Sequence, residues 1–237
     1  MSGILEGRAA LVLGLDDVGE GIARRFAREG ATLAAIDPQA NTATIGGLVS
    51  GAAGDLGRLD VLVCNLLPSS RARPLADLDD PSIDHALGSV RGTLAAMRAA
   101  LPWLRDSGRG RIVLIGHRYG ESVGESLGAY NAAAWGLVGL ARTAAVEWGP
   151  HQIATNVLVP LARTAEFEAA RSRRPGVVDR LVDQLPLRRV GDPVEDIGAA
   201  AALLASDAMC WVNGEIVYAD GGQHVAGPVL NPARFAT

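Results

Sequence analysis

The chain has 237 residues, 49% of them hydrophobic and 20% charged, enough for one α/β domain spanning residues 1–237 to bury a full core. A formal charge of −4, a pI near 5.6 and scattered arginines leave no basic footprint, which excludes nucleic acid as a partner. With no long apolar run and no leader-like N-terminus, the expected setting is cytoplasmic with no membrane contact; Cys64 and Cys210, without CxxC spacing or a His/Cys cluster, imply free thiols and no metal site.

Arg8 to Leu13 is an apolar run that predicts the first strand. It ends in a glycine-containing turn, Gly14 to Gly21, and a helically periodic segment, and Ala31 to Ile36 supplies the second strand. Strand, glycine turn, helix and strand make a Rossmann-type unit. In such a unit the glycines, here Gly14 and Gly19, let the backbone approach a diphosphate whose charge is met by helix N-terminal N–H groups. Asp16 and Asp17 crowd that position: they repel an anion, or one of them caps the following helix, and either way the phosphate place is taken. Asp37 ends the second strand where a ribose-binding acid is expected, although Asp37-Pro38 is also an ordinary turn.

Between Asp37 and Asp60 there is room for one helix, Thr44 to Leu56, and hardly for a further strand with its crossover. DVLVCN, ending at Asn65, reads as a buried strand. Pro68 to Pro81 is a loop whose Arg71 and Arg73 either approach an anionic ligand or are solvated. A long helix carrying Ser89 follows, then a strand from Ile112 to Ile115, a loop containing His117, Arg118, Glu121 and Glu125, and an alanine-rich helix with Tyr130 in its first turn. Ala154 to Pro160 is the next strand, and the tail from Leu187 reads as a helix followed by a last strand ending VNGEIVYADGG.

This order of strand, loop, tyrosine and helix resembles the short-chain dehydrogenase/reductase family, and the resemblance covers nearly the whole chain. It implies an α/β, Rossmann-like, doubly wound, mostly parallel sheet of six strands. The order is 2-1-4-5-6-7 in the family's labelling, with the third strand missing or vestigial. By the same resemblance Tyr130 matches the catalytic tyrosine, Ser89 the asparagine of the catalytic tetrad, and Asn65 the second asparagine of GRLDVLVNNAG. Ala134 stands where the family has lysine, His117 where it has serine, and Leu67 where it has the glycine beside the cofactor. In the TGxxxGxG turn Gly14 and Gly19 match the first and last glycines while Asp17 replaces the middle one, and Leu161 replaces the glycine of NxVxPG. Ala162 to Pro186 corresponds to the mobile substrate lid, whose arginines suit an acidic or coenzyme A-linked ligand or simply a solvated surface.

The spacing has a physical reason: a lysine one helical turn beyond the tyrosine lies on the same face and lowers the phenol pKa from about 10. The chain contains no lysine at all, so an unassisted Tyr130 is expected to be neutral near pH 7. His117 either acts as acid or base beside Tyr130 or fills a vacated pocket with Arg118 and Tyr119. With the glycine turn, third strand, NNAG glycine, serine and lysine all altered, the leading expectation is loss of NAD(P)-dependent chemistry. The chain would then be a non-catalytic subunit in a homo- or hetero-oligomer with an active relative. On that reading no cofactor is bound, or NAD(H) if any. Two alternatives are a non-redox enzyme (lyase, cyclase, hydratase or dehalogenase-like) using Tyr130 with His117, and an atypical NAD(P)-dependent oxidoreductase.

Overall fold

The computed structural model describes residues 3–38, 44–68, 72–117 and 125–226. Six strands form one sheet: β1 (Ala9–Leu13), β2 (Thr32–Ile36), β3 (Val61–Cys64), β4 (Arg111–Ile115), β5 (Ala154–Pro160) and β6 (Ile216–Ala219). Their order is β2-β1-β3-β4-β5-β6, and every pairing is parallel, with Leu11 opposite Ala34 and Leu62, and Val113 opposite Asn156. This is the doubly wound, six-stranded sheet that the resemblance implies. Between Ile36 and Val61 the described residues form helix α2 (Ile45–Leu56), and among the described residues no strand lies beyond β2.

The near-continuous apolar runs of β1, β3 and β4 follow from burial on both faces. Leu11, Leu13, Leu62, Cys64, Ile112 and Leu114 point toward α2, α3 (Asp80–Ser107) and α4 (Gly128–Trp148), meeting Val49, Met97 and Leu137. The alternate residues Ala10, Val12, Val61, Val63 and Val113 face α1 (Asp17–Arg28) and α7 (Ala199–Ala205), meeting Ile22, Phe26 and Ala201. Close approach of α1 to the turn of π-helix before α7 (Pro193–Gly198) requires glycine: a Cβ on Gly21 would meet the Pro193 carbonyl oxygen at 2.5 Å, and one on Gly198 the Gly21 oxygen at 3.0 Å.

Between β5 and that turn, α5 (Ala165–Arg173) and α6 (Pro175–Val182) close over a small core of their own, Phe167, Val178 and Leu185. At the N-terminal edge of the sheet Asp60, fully buried, accepts from the Ala9 amide at 2.8 Å, Arg58 at 2.8 Å and Arg109 at 3.3 Å. Burial alone would raise its pKa; the Arg58 and Ala9 hydrogen bonds outweigh that and hold the carboxyl below its usual range. Buried Arg8 and Arg111 complete the edge, both reaching Asp207. Cys64 and Cys210 are free thiols, and burial pushes the Cys64 thiol far up.

Candidate active site

In a parallel doubly wound sheet ligands bind outside the carboxyl ends of the strands, where the strand order reverses. Here β2 and β3 lie on opposite sides of β1, so the reversal falls at Gly14 and Asn65. Gly14 has φ of +84°, and a Cβ there would sit 1.9 Å from the Asn65 carbonyl oxygen, while a Cβ on Gly19 would sit 1.8 Å from the Gly14 oxygen. Both glycines are therefore demanded by the packing of turn on strand. The Asn65 amide donates to the Gly14 oxygen at 3.2 Å and to the Asp16 carboxylate at 2.6 Å.

Asp16 is the N-cap of α1. Its carboxylate accepts from the amides of Val18 and Gly19, each at 3.0 Å. Of the two sequence readings for the acids in this turn, capping describes Asp16. Asp17 makes a bond with no local signature: its carboxylate accepts from the Ala165 amide at 2.7 Å, tying the turn to the first residue of α5, 148 positions away. Asp37 is exposed at the end of β2, next to the point where the Gly14 amide donates to the Ile36 oxygen at 2.9 Å.

Along the same rim, β4 ends at Ile115 and leads through buried Gly116 to His117. The His117 ring meets Tyr130 edge-to-face, with centroids 5.1 Å apart and planes at 85°. Tyr130 lies in the first turn of α4, half-buried, and Ala134 one turn further on is buried at 3% exposure. Ser89 is not directed at this site: it is buried in α3 and its hydroxyl donates to the Ala86 oxygen at 2.6 Å, inside its own helix. Leu66 and Leu67 are half-buried and pack on the core beneath the rim.

Of the candidate ligand-binding arginines, Arg73 is paired with Asp79 and Arg171 with Asp179 at 2.7 Å. Arg71, Arg118, Tyr119 and Glu121 lie outside the described residues. A cavity of about 270 Å³ is lined by Leu187, Arg189, Glu195, Asp196 and Ala219 among others. Its charges are already matched: Arg189 forms a two-point pair with Asp196 at 2.5 and 2.7 Å, holding that carboxyl at about 2, and Glu195 meets Arg25 and Arg28.

With this geometry in place, similarity decides the family. Residues 40–224, well over half of the chain, match the family model described as enoyl-(acyl carrier protein) reductase. The chain belongs to the short-chain dehydrogenase/reductase family. A 12α-hydroxysteroid dehydrogenase of a Clostridium species is 28% identical over 93% of this chain and 98% of its own. The oxidoreductase UcpA of Escherichia coli O157:H7 is 32% identical over 93% and 95%. Among solved structures, a Beutenbergia cavernae protein assigned as an NAD(P)-dependent gluconate 5-dehydrogenase, with NADP bound at low occupancy, is 26% identical. It superposes with a TM-score of 0.82 over 92% of this chain and 97% of that one.

These relatives overturn the expectation that the chain has lost nicotinamide chemistry and serves as a non-catalytic subunit. Full-length short-chain dehydrogenase/reductases similar to it are named as dehydrogenases and oxidoreductases, so an atypical oxidoreductase fits better. The physical weakness of that expectation lay in treating a missing ammonium as a missing reaction. Replacing lysine with Ala134 removes one charge but leaves the phenol, the glycine turn and the strand-end crevice in register. Among the described residues no helix is long and apolar enough to cross a membrane.

Proposed function

We propose that this short-chain dehydrogenase/reductase is an atypical NAD(P)-dependent oxidoreductase interconverting a carbonyl and a secondary alcohol, with Tyr130 as the proton relay. The observation that carries the reading is the contact of Tyr130 with His117 at the end of β4, on the rim where the strand order reverses. The donor set fits a nicotinamide dinucleotide: the α1 N-terminal amides are arranged for an anion, and the Asp16 carboxylate resting on them is a stand-in for one. Gly14, Gly19 and Asn65 would hold the diphosphate end. Asp37 would accept from ribose hydroxyls, and because a carboxylate there repels a 2′-phosphate, NAD(H) is favoured over NADP(H).

When bound, the nicotinamide supplies or takes up the hydride. As a carbonyl oxygen becomes an alcohol, the Tyr130 hydroxyl donates its proton to that oxygen, and in the reverse direction the phenolate accepts it. The proton is restored from solvent through the imidazole of His117, whose two ring nitrogens can pass a proton along, so that it takes the part that lysine plays elsewhere. Ser89, bonded within its helix, has no part in this relay.

The test is titration of NADH and NADPH against the intrinsic tryptophan fluorescence, followed by turnover with a panel of cyclic and open-chain ketones. Saturable NADH binding with turnover of at least one ketone is expected. Absence of both binding and turnover at millimolar concentrations of either dinucleotide would reject the reading. The exposed apolar side chains Leu87 and Leu94 on α3 and Trp135 and Val146 on α4 support self-association, which sedimentation velocity would read directly.

A further inference from the structure

The last strand ends in a polar cluster that the proton relay does not use. Asp220, immediately after β6, is buried at 3% exposure, and its carboxylate accepts from the amides of Gly222 at 3.0 Å and His224 at 2.7 Å. These two bonds hold the single turn Gln223–Ala226. That turn needs no imidazole, yet Nδ1 of His224 lies 3.0 Å from both Asp220 oxygens, and the ring stacks on Tyr218 with centroids 4.0 Å apart and planes at 15°. Because an ionised carboxylate only accepts, Nδ1 is the nitrogen that donates, and in the neutral ring Nε2 is then an acceptor. Asp220 and Tyr218 thus fix the ring from its edge and its face. Nε2 has no partner among the described residues, on a side chain 35% exposed.

The strand register places this cluster on the same rim as Tyr130. Ile115 of β4 lies opposite Leu158 and Leu158 opposite Val217, so His117 and Tyr218 stand two residues and one residue past a common row. Strands two places apart in a sheet are separated by about 10 Å. Tyr218 packs on the side of the sheet that α4 covers, and Tyr130 is in the first turn of α4. Between them the rim is the end of β5, where Pro160 and Leu161 are apolar and half-buried. We infer that His224 is a substrate-binding residue: its Nε2 accepts a hydrogen bond from a hydroxyl at the far end of an apolar substrate whose carbonyl is held at Tyr130. This inference rests on the oxidoreductase reading and narrows its substrate class to ketones that carry a distal hydroxyl on the order of 10 Å from the carbonyl. A small ketone fills only the Tyr130 end and gains nothing from His224.

The test uses the full chain and a matched pair of probes, a ten-carbon methyl ketone with a terminal hydroxyl and its deoxy counterpart, with a four-carbon ketone as the short control. Wild type, His224→Ala and His224→Phe are assayed for kcat and KM with NADH, and calorimetry without nicotinamide reads binding of the two long ketones. Phenylalanine keeps a ring to stack on Tyr218 and has no acceptor, so it stands in if the alanine variant fails to fold. Wild type is expected to favour the hydroxyketone about tenfold in both KM and Kd, the order of one hydrogen bond. Either variant loses that preference, while kcat and the constants for the other two ketones stay within about twofold. Turnover without any preference for the hydroxyl in wild type, or an equal loss on all three ketones in His224→Phe, would overturn the subsite and leave the oxidoreductase reading intact. A calorimetric preference that His224→Phe abolishes, with no turnover of any ketone, would uphold the subsite and sink the reading. Neither binding nor turnover by wild type would overturn both.

Discussion

The two edges of the one sheet are built on opposite principles. At the N-terminal edge, Asp60 and the buried guanidiniums of Arg8 and Arg111 are enclosed, and each finds partners in fixed backbone and side-chain groups: Arg111, for example, donates to the Gly110 oxygen at 2.8 Å and to Ser206 at 3.3 Å. At the C-terminal edge the polar groups sit open to solvent. Asp16, Asp17 and Asp37 are exposed, and the amides that Asp16 and Asp17 cover can be uncovered by rotating a side chain. A buried charge network is costly to disturb and does one thing, whereas exposed acids over helix N-termini can exchange partners. The first edge holds the strand starts in place. The second is where a ligand can compete.

That contrast is broken most sharply by taking away the Tyr130 phenol on the working rim. Tyr130→Phe keeps the ring and its edge contact with His117 but removes the proton. On the proposed chemistry it lowers kcat for ketone reduction about 10³-fold with little change in thermal stability. A variant retaining more than a tenth of the activity would move the relay to another group.

Next in size is the opposite edge. Asp60→Ala strips the Ala9 amide and two arginines of a fully buried acceptor and is expected to cost about 3 kcal/mol, read from urea unfolding. The pH dependence has a defined sign. Because the folded-state pKa is depressed, the Asp60 contribution is present above the ordinary carboxylate value of about 3.9 and is lost as pH falls through the folded value. The variant should therefore show a flatter stability profile on the acid side of pH 4. An unchanged acid limb would mean that other carboxylates govern it.

His117→Ala sharpens the comparison from the rim side. It should leave folding nearly untouched and reduce turnover about tenfold, with a changed shape of the pH–rate profile. A parallel drop at every pH would show that His117 only supports the Tyr130 ring.

Much of this division was legible from residues alone. The periodicity and length between Asp37 and Asp60 gave a single crossover helix and hence six strands, because an apolar run buried on both faces and a crossover of limited length leave few other arrangements. The rim residues Gly14, Asn65, His117 and Tyr130 were named through the family resemblance, and the fold places them just after strands or in the first turn of a helix. What failed to show had no local signature. The Asp17–Ala165 bond joins positions 148 apart, and Ser89 turns to Ala86 for a reason of helix geometry that an alignment to the catalytic asparagine hides. The inference of lost activity failed for a related reason, since absent helper residues say little about what the remaining ones can do together.

The smallest predicted effect sets the scale of the buried edge. Arg58 and Arg109 both reach the same Asp60 oxygen, yet the Arg58 side chain is 51% exposed, and it surrenders little hydration in making its bond. When Arg58 is truncated to alanine, Asp60 keeps the Ala9 amide on one oxygen and Arg109 on the other, so no buried acceptor is orphaned. The cost should then be that of a solvent-screened ion pair, about 0.5 kcal/mol, with the acid limb moving slightly toward neutral pH as one stabilising cation is withdrawn. If Arg58→Ala instead approached Asp60→Ala in urea unfolding, the edge would owe its stability to the number of charges around Asp60. The several-fold gap expected here places it in the one acceptor that solvent cannot reach.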